Sequence, residues 1–305
     1  MNIAYLILAH NNPQHLTRLI NSLSTHHCAF FVHIDKKANL ADFLSNDRDN
    51  VFFIQDNVPV YWGDYSMVEA ILILLQSALK DSRNFDYFVL LSGSDYPIQP
   101  AAYIETFFES KAGTEFMNTV PIPGEKVGKP ISRLINYRVR QSGSKVSRRF
   151  YKLLRSIGIT RKRNYKLYLR DLKPFGGSTW WAITRGAAQY ILDFTVSHPQ
   201  VVNFFKNTYN PDEMFFQTIL SNSPYMTSMQ RNLMFTDWSA GGAHPAWISD
   251  KHLTFFQSTL STILEDAYGK GELLFARKFS AESKRVVDQL DQLIKEKELI
   301  YLSQQ

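Results

Sequence analysis

The chain has 305 residues, is 45% hydrophobic and carries 22 Phe, 15 Tyr and 5 Trp; this excludes a disordered chain and is enough for one large core or two modest ones. A single cysteine, Cys28, excludes an intrachain disulfide and zinc-type cysteine pairs, and points to a reducing compartment. The net charge of +6 is local: Lys126 to Arg170 holds 15 Lys and Arg and no acid, while the other 19 basic residues face 28 acids. An anionic partner (phosphate, acidic glycan, membrane surface or nucleic acid) is therefore expected for that segment.

Taken in order, the first half alternates strands and helices. Ile3 to Leu8 is an apolar strand, too short and without the basic leader of a signal peptide. Asn12 and Pro13 then suit the cap and first position of a helix running to about Ser22, with Leu16, Leu19, Ile20 and Leu23 on one face. Strands follow at Ala29 to Ile34, ending on Asp35, and at Val51 to Ile54. Trp62-Gly63 precedes Ser66-Met-Val-Glu69, which has the spacing of a capping box, and the stripe Val68, Ile71, Leu72, Leu75, Leu79 continues as a helix. The run Phe88 to Leu91 is a buried strand that ends in Ser92-Gly-Ser-Asp95-Tyr-Pro97, and a helix follows Pro100. This alternation predicts an α/β fold with a mostly parallel sheet and helices on both faces. No run of apolar residues is long enough to span a membrane.

The basic segment interrupts the pattern and is read as an insertion, with a short basic helix from Arg148 to Ile157. It is followed by Phe175 to Thr184 (a turn feeding a strand), a helix over Arg185 to Val196, and Asn210-Pro-Asp-Glu213 opening a helix to about Leu220. Met234 to Trp238 is a short strand before a Gly-rich turn. Leu273 to Phe279 closes the fold, and Ser280 to Leu302 is a charged amphipathic helix. The boundaries are thus a domain over 1–279, with halves at about 1–110 and 174–279 around an insertion at about 124–173, and a C-terminal helix over 280–305.

Ligands of open α/β sheets sit beyond the carboxyl ends of the strands. Asp35 and Asp95 stand there, as acids able to accept hydrogen bonds from a uracil, ribose or sugar. Ser92 or Ser94 near Asp95 gives one carboxylate where a cation site wants one or two plus phosphate oxygens, so no metal is expected. Without a metal, a diphosphate needs side-chain cations; Arg277 and Lys278 fit, although an ordinary surface pair reads the same way. Glu213 fits a general base for transfer to a hydroxyl, and it equally fits the first turn of a stable helix. Trp180, Trp181 and Trp238 offer faces for stacking or for packing, and on a strand one of Trp180 and Trp181 must point inward. Gly63 allows close approach of a ligand or makes a turn, and His10 follows a strand as well.

Eight stretches in order carry a resemblance. They are Ala4-Tyr-Leu-Ile-Leu-Ala-His10, Val32-His-Ile-Asp-Lys36, Trp62-Gly-Asp-Tyr-Ser66 and Leu91-Ser-Gly-Ser-Asp-Tyr-Pro97, then Gly177-Ser-Thr-Trp-Trp-Ala-Ile-Thr-Arg185, Pro211-Asp-Glu213, Asp237-Trp238 with His244-Pro245, and Phe275-Ala-Arg-Lys-Phe279. Together they resemble the Core-2/I-branching family, glycosyltransferase family 14, which includes β1,6-N-acetylglucosaminyltransferases, peptide O-xylosyltransferases and plant glucuronosyltransferases. The resemblance implies a GT-A fold, a UDP-sugar donor and inverting transfer without a metal or other cofactor. On the matching positions it implies Glu213 as base and Arg277 and Lys278 at the diphosphate. His10, Asp35, Trp62, Gly63, Ser94 and Asp95 are expected on the nucleotide-sugar side, and Asp95 again, with Trp180, Asp212 and Trp238, on the sugar and acceptor side. The expected donor is UDP-GlcNAc, with UDP-xylose and UDP-glucuronate as alternatives, and the acceptor a glycan or lipid-linked glycan in surface polysaccharide assembly. The chain lacks the anchor, stem and disulfide cysteines of the animal enzymes, which suggests a bacterial cytoplasmic enzyme, peripheral at the inner membrane face through Lys126 to Arg170. A protein binding nucleic acid through that segment is the rival from another class; a glycoside hydrolase, which needs two flanking carboxylates, is a third reading.

Overall fold

The computed structural model describes residues 1–46, 48–156, 161–242, 244–257 and 261–304. The strands are β1 (Ile3–Ala9), β2 (Cys28–Ile34), β3 (Val51–Phe53), β4 (Tyr87–Ser92), β5 (Asp95–Pro97), β6 (Glu115–Pro121), β7 (Phe175–Thr184), β8 (Met229–Gln230), β9 (Met234–Thr236), β10 (Ile263–Asp266), β11 (Gly269–Glu272) and β12 (Phe275–Arg277). The helices are α1 (Pro13–Leu23), α2 (Ser66–Leu79), α3 (Ala101–Ser110), α4 (Ser132–Ile135), α5 (Lys145–Ser156), α6 (Lys166–Leu169), α7 (Arg185–Ser197), α8 (Pro199–Phe205), α9 (Phe215–Leu220), α10 (Asp250–Gln257) and α11 (Lys284–Leu302).

Seven strands form the main sheet in the order β3-β2-β1-β4-β7-β6-β8. β1, β2, β3 and β4 are mutually parallel; β7 runs antiparallel to both β4 and β6. This is a mixed sheet in one α/β domain. β1 shows why it is covered on both faces: Ile3, Tyr5, Ile7 and Ala9 join one core, and Ala4, Leu6 and Leu8 the other. The first core also holds residues of α1, α3 and α11, the second those of α2, α7, α8 and α9. Complete burial of one such aliphatic side chain contributes about 1.5–3 kcal/mol.

A second, three-stranded sheet, β5-β12-β9, sits at the end of β4. The sequence reading makes Asp95-Tyr-Pro97 only the end of the strand that starts at Phe88. Instead it pairs antiparallel with β12, Pro97 opposite Phe275 and Asp95 opposite Arg277. Its partner lies some 180 residues along the chain, beyond any local pattern.

α1 starts as expected: the Asn12 side chain accepts from the His15 amide and Pro13 takes the first position. Two other helix starts differ. No capping box forms at Ser66: its hydroxyl accepts from the Tyr61 amide, Asp64 accepts from the Ser66 amide, and Glu69 binds Arg140. Asn210 does not cap with its side chain; it is left-handed (φ 48°), Pro211–Glu213 makes one 3-10 turn, and Met214 (φ −141°) breaks the path before α9. β7 begins at Phe175, with no turn before Thr184. The basic helix is α5, starting at Lys145 and not at Arg148; Ile157, expected at its end, lies outside the described residues. α11 packs into the first core through Val286, Val287, Leu290, Leu293 and Ile294, and Asp291 accepts from Tyr96 and Arg18.

Candidate active site

The parallel strands β1, β2 and β4 end on one edge, and the register of β7 against β4 carries its first half past that edge. His10, Asp35 and the Ser92–Asp95 turn stand there, with Arg277 and Lys278 delivered by β12.

Asp35 is largely buried. It accepts from the Lys37 amide (2.9 Å), the Lys37 ammonium (2.6 Å) and the Val60 amide (3.3 Å), so it also ties down its own loop. His10 is exposed, yet desolvation lowers its pKa; Lys278 and Lys37 push the same way against Asp35. An imidazole, not an imidazolium, therefore faces this edge at neutral pH.

Asp95 is the main departure from expectation. The sequence suggests an exposed acid at a strand end, whereas its exposure is 0%. Oδ2 accepts from the Ser92 amide and Oδ1 from the Ser92 hydroxyl, both at 2.7 Å, and Oδ1 lies 3.6 Å from Arg277 Nε. Burial pushes its pKa up, opposed by Arg277, Ser92 and Lys278. Two donors aimed at the two oxygens suit a carboxylate, and that carboxylate lies beside Arg277. Ser94 likewise serves the frame: its amide donates to Ser92 Oγ and its carbonyl accepts from the Phe279 amide.

The Arg277 guanidinium lies 3.9 Å from the centre of the Trp180 ring, and burial lowers its pKa against the pull of Asp95. Lys278 is half-buried. Burial and Arg277 both lower its pKa against Asp95, and its ammonium sits 5.0 Å from the Trp247 ring centre. Trp181 points the other way, into the second core against Phe216, as strand alternation requires.

Glu213 carries the strongest local electrostatics. Its Oε2 accepts from Lys129 Nζ (2.5 Å) and Arg133 Nη1 (2.6 Å). Burial alone would raise its pKa, but these two cations hold it below the usual carboxylate range. Tyr268, in the β10–β11 turn, feels the same charge: its phenol is pushed up to about 12, first by burial and then by Glu213. Asp212 is separate. Thr179 Oγ1 donates to it (2.7 Å), and burial, then the charge of Glu213, raises its pKa to about 6. Its exposure is 8%.

Gly63 makes a close approach, to protein. At φ +67°, a Cβ there would lie 2.6 Å from Asn210 Oδ1, and its carbonyl accepts from the Asn210 amide. The loop bearing Trp62 is thereby docked on the chain that leads into Glu213. The Trp62 ring meets Tyr209 and His244 edge-on, both at 5.7 Å. Trp62, Trp238 and Trp247 are each about half exposed. Gly177 is fixed by packing, since a Cβ would fall 1.6 Å from the Asn118 carbonyl oxygen.

Sequence reasoning missed Lys37, Lys129, Arg133, Trp247 and Tyr268. Lys37 follows the Asp35-Lys36 pair and Trp247 follows His244-Pro245, so a wider window around those motifs would have taken both in. Lys129 and Arg133 were inside the basic segment but unassigned, because their partner is 84 and 80 residues away. Among the described residues, no group of three or more His, Cys, Asp or Glu is placed to hold a metal ion, and no helix is long and apolar enough to cross a membrane.

The profile of the Core-2/I-branching enzyme family matches residues 3–259. Xylosyltransferase 2 of Canis lupus familiaris is 26% identical over 249 residues, covering 78% of this chain and 27% of that protein. Xylosyltransferase sqv-6 of Caenorhabditis elegans is 25% identical over 295 residues, covering 88% and 33%. The chain thus spans about a third of the length of the curated relatives it matches. Mouse xyloside xylosyltransferase 1 in its apo form aligns with a TM-score of 0.38 and 12% identity over 90% of this chain and 97% of that one.

Proposed function

The chain belongs to the Core-2/I-branching enzyme family, and from that membership and the strand-edge geometry we propose that it is a glycosyltransferase acting by direct displacement on a UDP-sugar. In this reaction an acceptor hydroxyl attacks the anomeric carbon, the bond to the diphosphate oxygen breaks, and configuration inverts. The hydroxyl proton passes to Glu213, and UDP leaves with the bonding electrons. Arg277 and Lys278 meet the charge that grows on the diphosphate, in a partly enclosed place where such charge is worth most. His10 and Asp35 border the nucleotide, and Trp62, Trp238 and Trp247 offer stacking faces to the sugars.

Lys278 is the observation that carries this reading. It is half-buried at the strand edge, its pKa lowered by burial and by Arg277, and among the described residues no carboxylate lies within ion-pair distance of it. A cation held there without a counter-ion suits an anionic ligand. It also supports transfer without a divalent metal.

For the donor sugar we place UDP-xylose first, because the relatives at 25–26% identity are named xylosyltransferases; UDP-GlcNAc, favoured by the sequence reading, and UDP-glucuronate complete the screen. The acceptor is a glycan hydroxyl, lipid-linked in the reading favoured here. UDP release is to be measured with each donor, with and without EDTA. Turnover with one donor, unchanged by EDTA, is expected; strict dependence on added Mn²⁺ would overturn the metal-free account.

The nucleic-acid rival weakens on geometry. Lys129 and Arg133 bind Glu213, Arg140 binds Glu69, Arg163 binds the Phe204 carbonyl and Thr208, and Arg138 lies over Tyr209. Much of the segment's charge is thus spent inside the protein.

A further inference from the structure

The rest of that charge surrounds an apolar stripe. On α5, Val146, Phe150 and Leu153 are 77%, 56% and 62% exposed. Their spacing of four and three residues puts them on one helix face. At 100° per residue, Lys145, Arg149 and Lys152 fall along one flank of that stripe, and all three are exposed. Tyr151 points towards the protein, its ring 5.5 Å from that of Tyr137. Arg161, hydrogen-bonded to Tyr151 and over the Tyr137 ring, joins this helix to the next exposed group. That group is α6, where Leu167 is 72% exposed and Tyr168 is half exposed, between the exposed cations Lys166 and Arg170. The sequence from Lys126 to Arg170 offers no acid to neutralise either group.

We propose that α5 and α6 form one docking surface for an anionic phospholipid bilayer, with Val146, Phe150, Leu153 and Leu167 inserted at the headgroup boundary and Lys145, Arg149, Lys152, Lys166 and Arg170 on the lipid phosphates. Basic residues flanking exposed apolar ones is the pattern of an interfacial helix, which gains from both burial and charge. A nucleic-acid site would need cations along a groove, and the apolar stripe adds nothing to phosphate binding. A second copy of the chain fits less well, because these few side chains offer far less than the roughly 1,000 Å² that a specific protein interface buries. The surface extends the reading of a lipid-linked acceptor, since Lys129 and Arg133 of the same segment reach the candidate base. Its test reads binding and not turnover, so either proposal can fail alone.

The full chain is to be sedimented with phosphatidylcholine vesicles, with and without phosphatidylglycerol. Binding to the anionic vesicles only, weakened by high salt, is expected. The triple variant Val146→Ser, Phe150→Ser, Leu153→Ser should bind at least about tenfold more weakly. Neutralising Lys145, Arg149 and Lys152 to Gln should remove the preference for anionic lipid. All six residues are exposed, so melting temperatures should match the parent. The proposal is overturned by an absence of binding to anionic vesicles at low salt, or by a triple serine variant that binds like the parent. It is equally overturned by a dimer in light scattering that the same variant abolishes, or by tighter binding to RNA or duplex DNA than to vesicles.

Discussion

Two carboxylates at this edge are held in opposite ways. Asp95 is fixed by strand register: β5 and β12 set it opposite Arg277, Ser92 fills both its oxygens, and burial pushes its pKa up. Glu213 is fixed by side chains from the basic segment, and Lys129 and Arg133 hold its pKa down. The first sits in a frame with no freedom and no exposure. The second keeps 24% of its side chain accessible, at a break between a 3-10 turn and a helix. Environments that push two acids apart commonly mark different jobs. Here the buried acid lies beside a cation, and the accessible one is the candidate to exchange a proton.

The harshest way to break this comparison is Glu213→Gln. If the accessible acid is the base, kcat for UDP release with acceptor should fall by about 10²–10⁴-fold, with donor affinity by calorimetry nearly unchanged. Full activity would move the proton acceptor elsewhere. Arg277→Met comes next, with an expected loss of about 10²–10³-fold in kcat/KM. Asp95→Asn should act through Arg277, raising the donor KM while kcat stays close to the parent. A fall in kcat with KM unchanged would make Asp95 more than a positioning residue.

Those assignments were unequally legible in the sequence. The alternation of β1, α1, β2 and α2, the burial of β4 and the opposite aims of Trp180 and Trp181 all follow from local periodicity, and the structure agrees. The exposure of Asp95 did not follow, because the strand that buries it pairs across some 180 residues. The capping box at Ser66 failed for a similar reason: Arg140 takes Glu69 from outside the window in which the motif is defined. The charge run of Lys126 to Arg170 was visible as a run. Its division into cations that turn inward to Glu213, Glu69 and Thr208 and cations that stay outside is tertiary information.

The basic segment offers a finer test. Glu213 has a depressed pKa because two cations stabilise its charged form, so it stays ionised well below neutral pH. Replacing Lys129 and Arg133 with Met removes that stabilisation and should raise the pKa. The acid limb of kcat/KM should then move up by about one to two pH units, and the plateau rate should not fall in proportion, since a base of higher pKa is a better base. An unmoved limb would mean that some other group titrates in it.

The smallest expected effect concerns stability. Asp212 neighbours Glu213, but burial and that neighbour's charge raise its pKa to about 6 from an ordinary 3.8. The folded state therefore holds this proton more tightly than the unfolded chain does. Between about pH 4 and 6 the native protein binds more protons, so its stability falls as pH rises through that window and stays lowered above it. Asp212→Asn keeps an acceptor for Thr179 and has no charge to bury. It should raise the unfolding free energy near pH 7.5 by on the order of 1–3 kcal/mol, seen as a higher melting temperature, and the gain should vanish near pH 4. A variant that instead loses stability at neutral pH would show that Asp212 is a carboxylate supported by Lys129. Asp212 and Glu213 would then be one anionic cluster facing the basic segment, and the contrast with Asp95 would rest on burial alone.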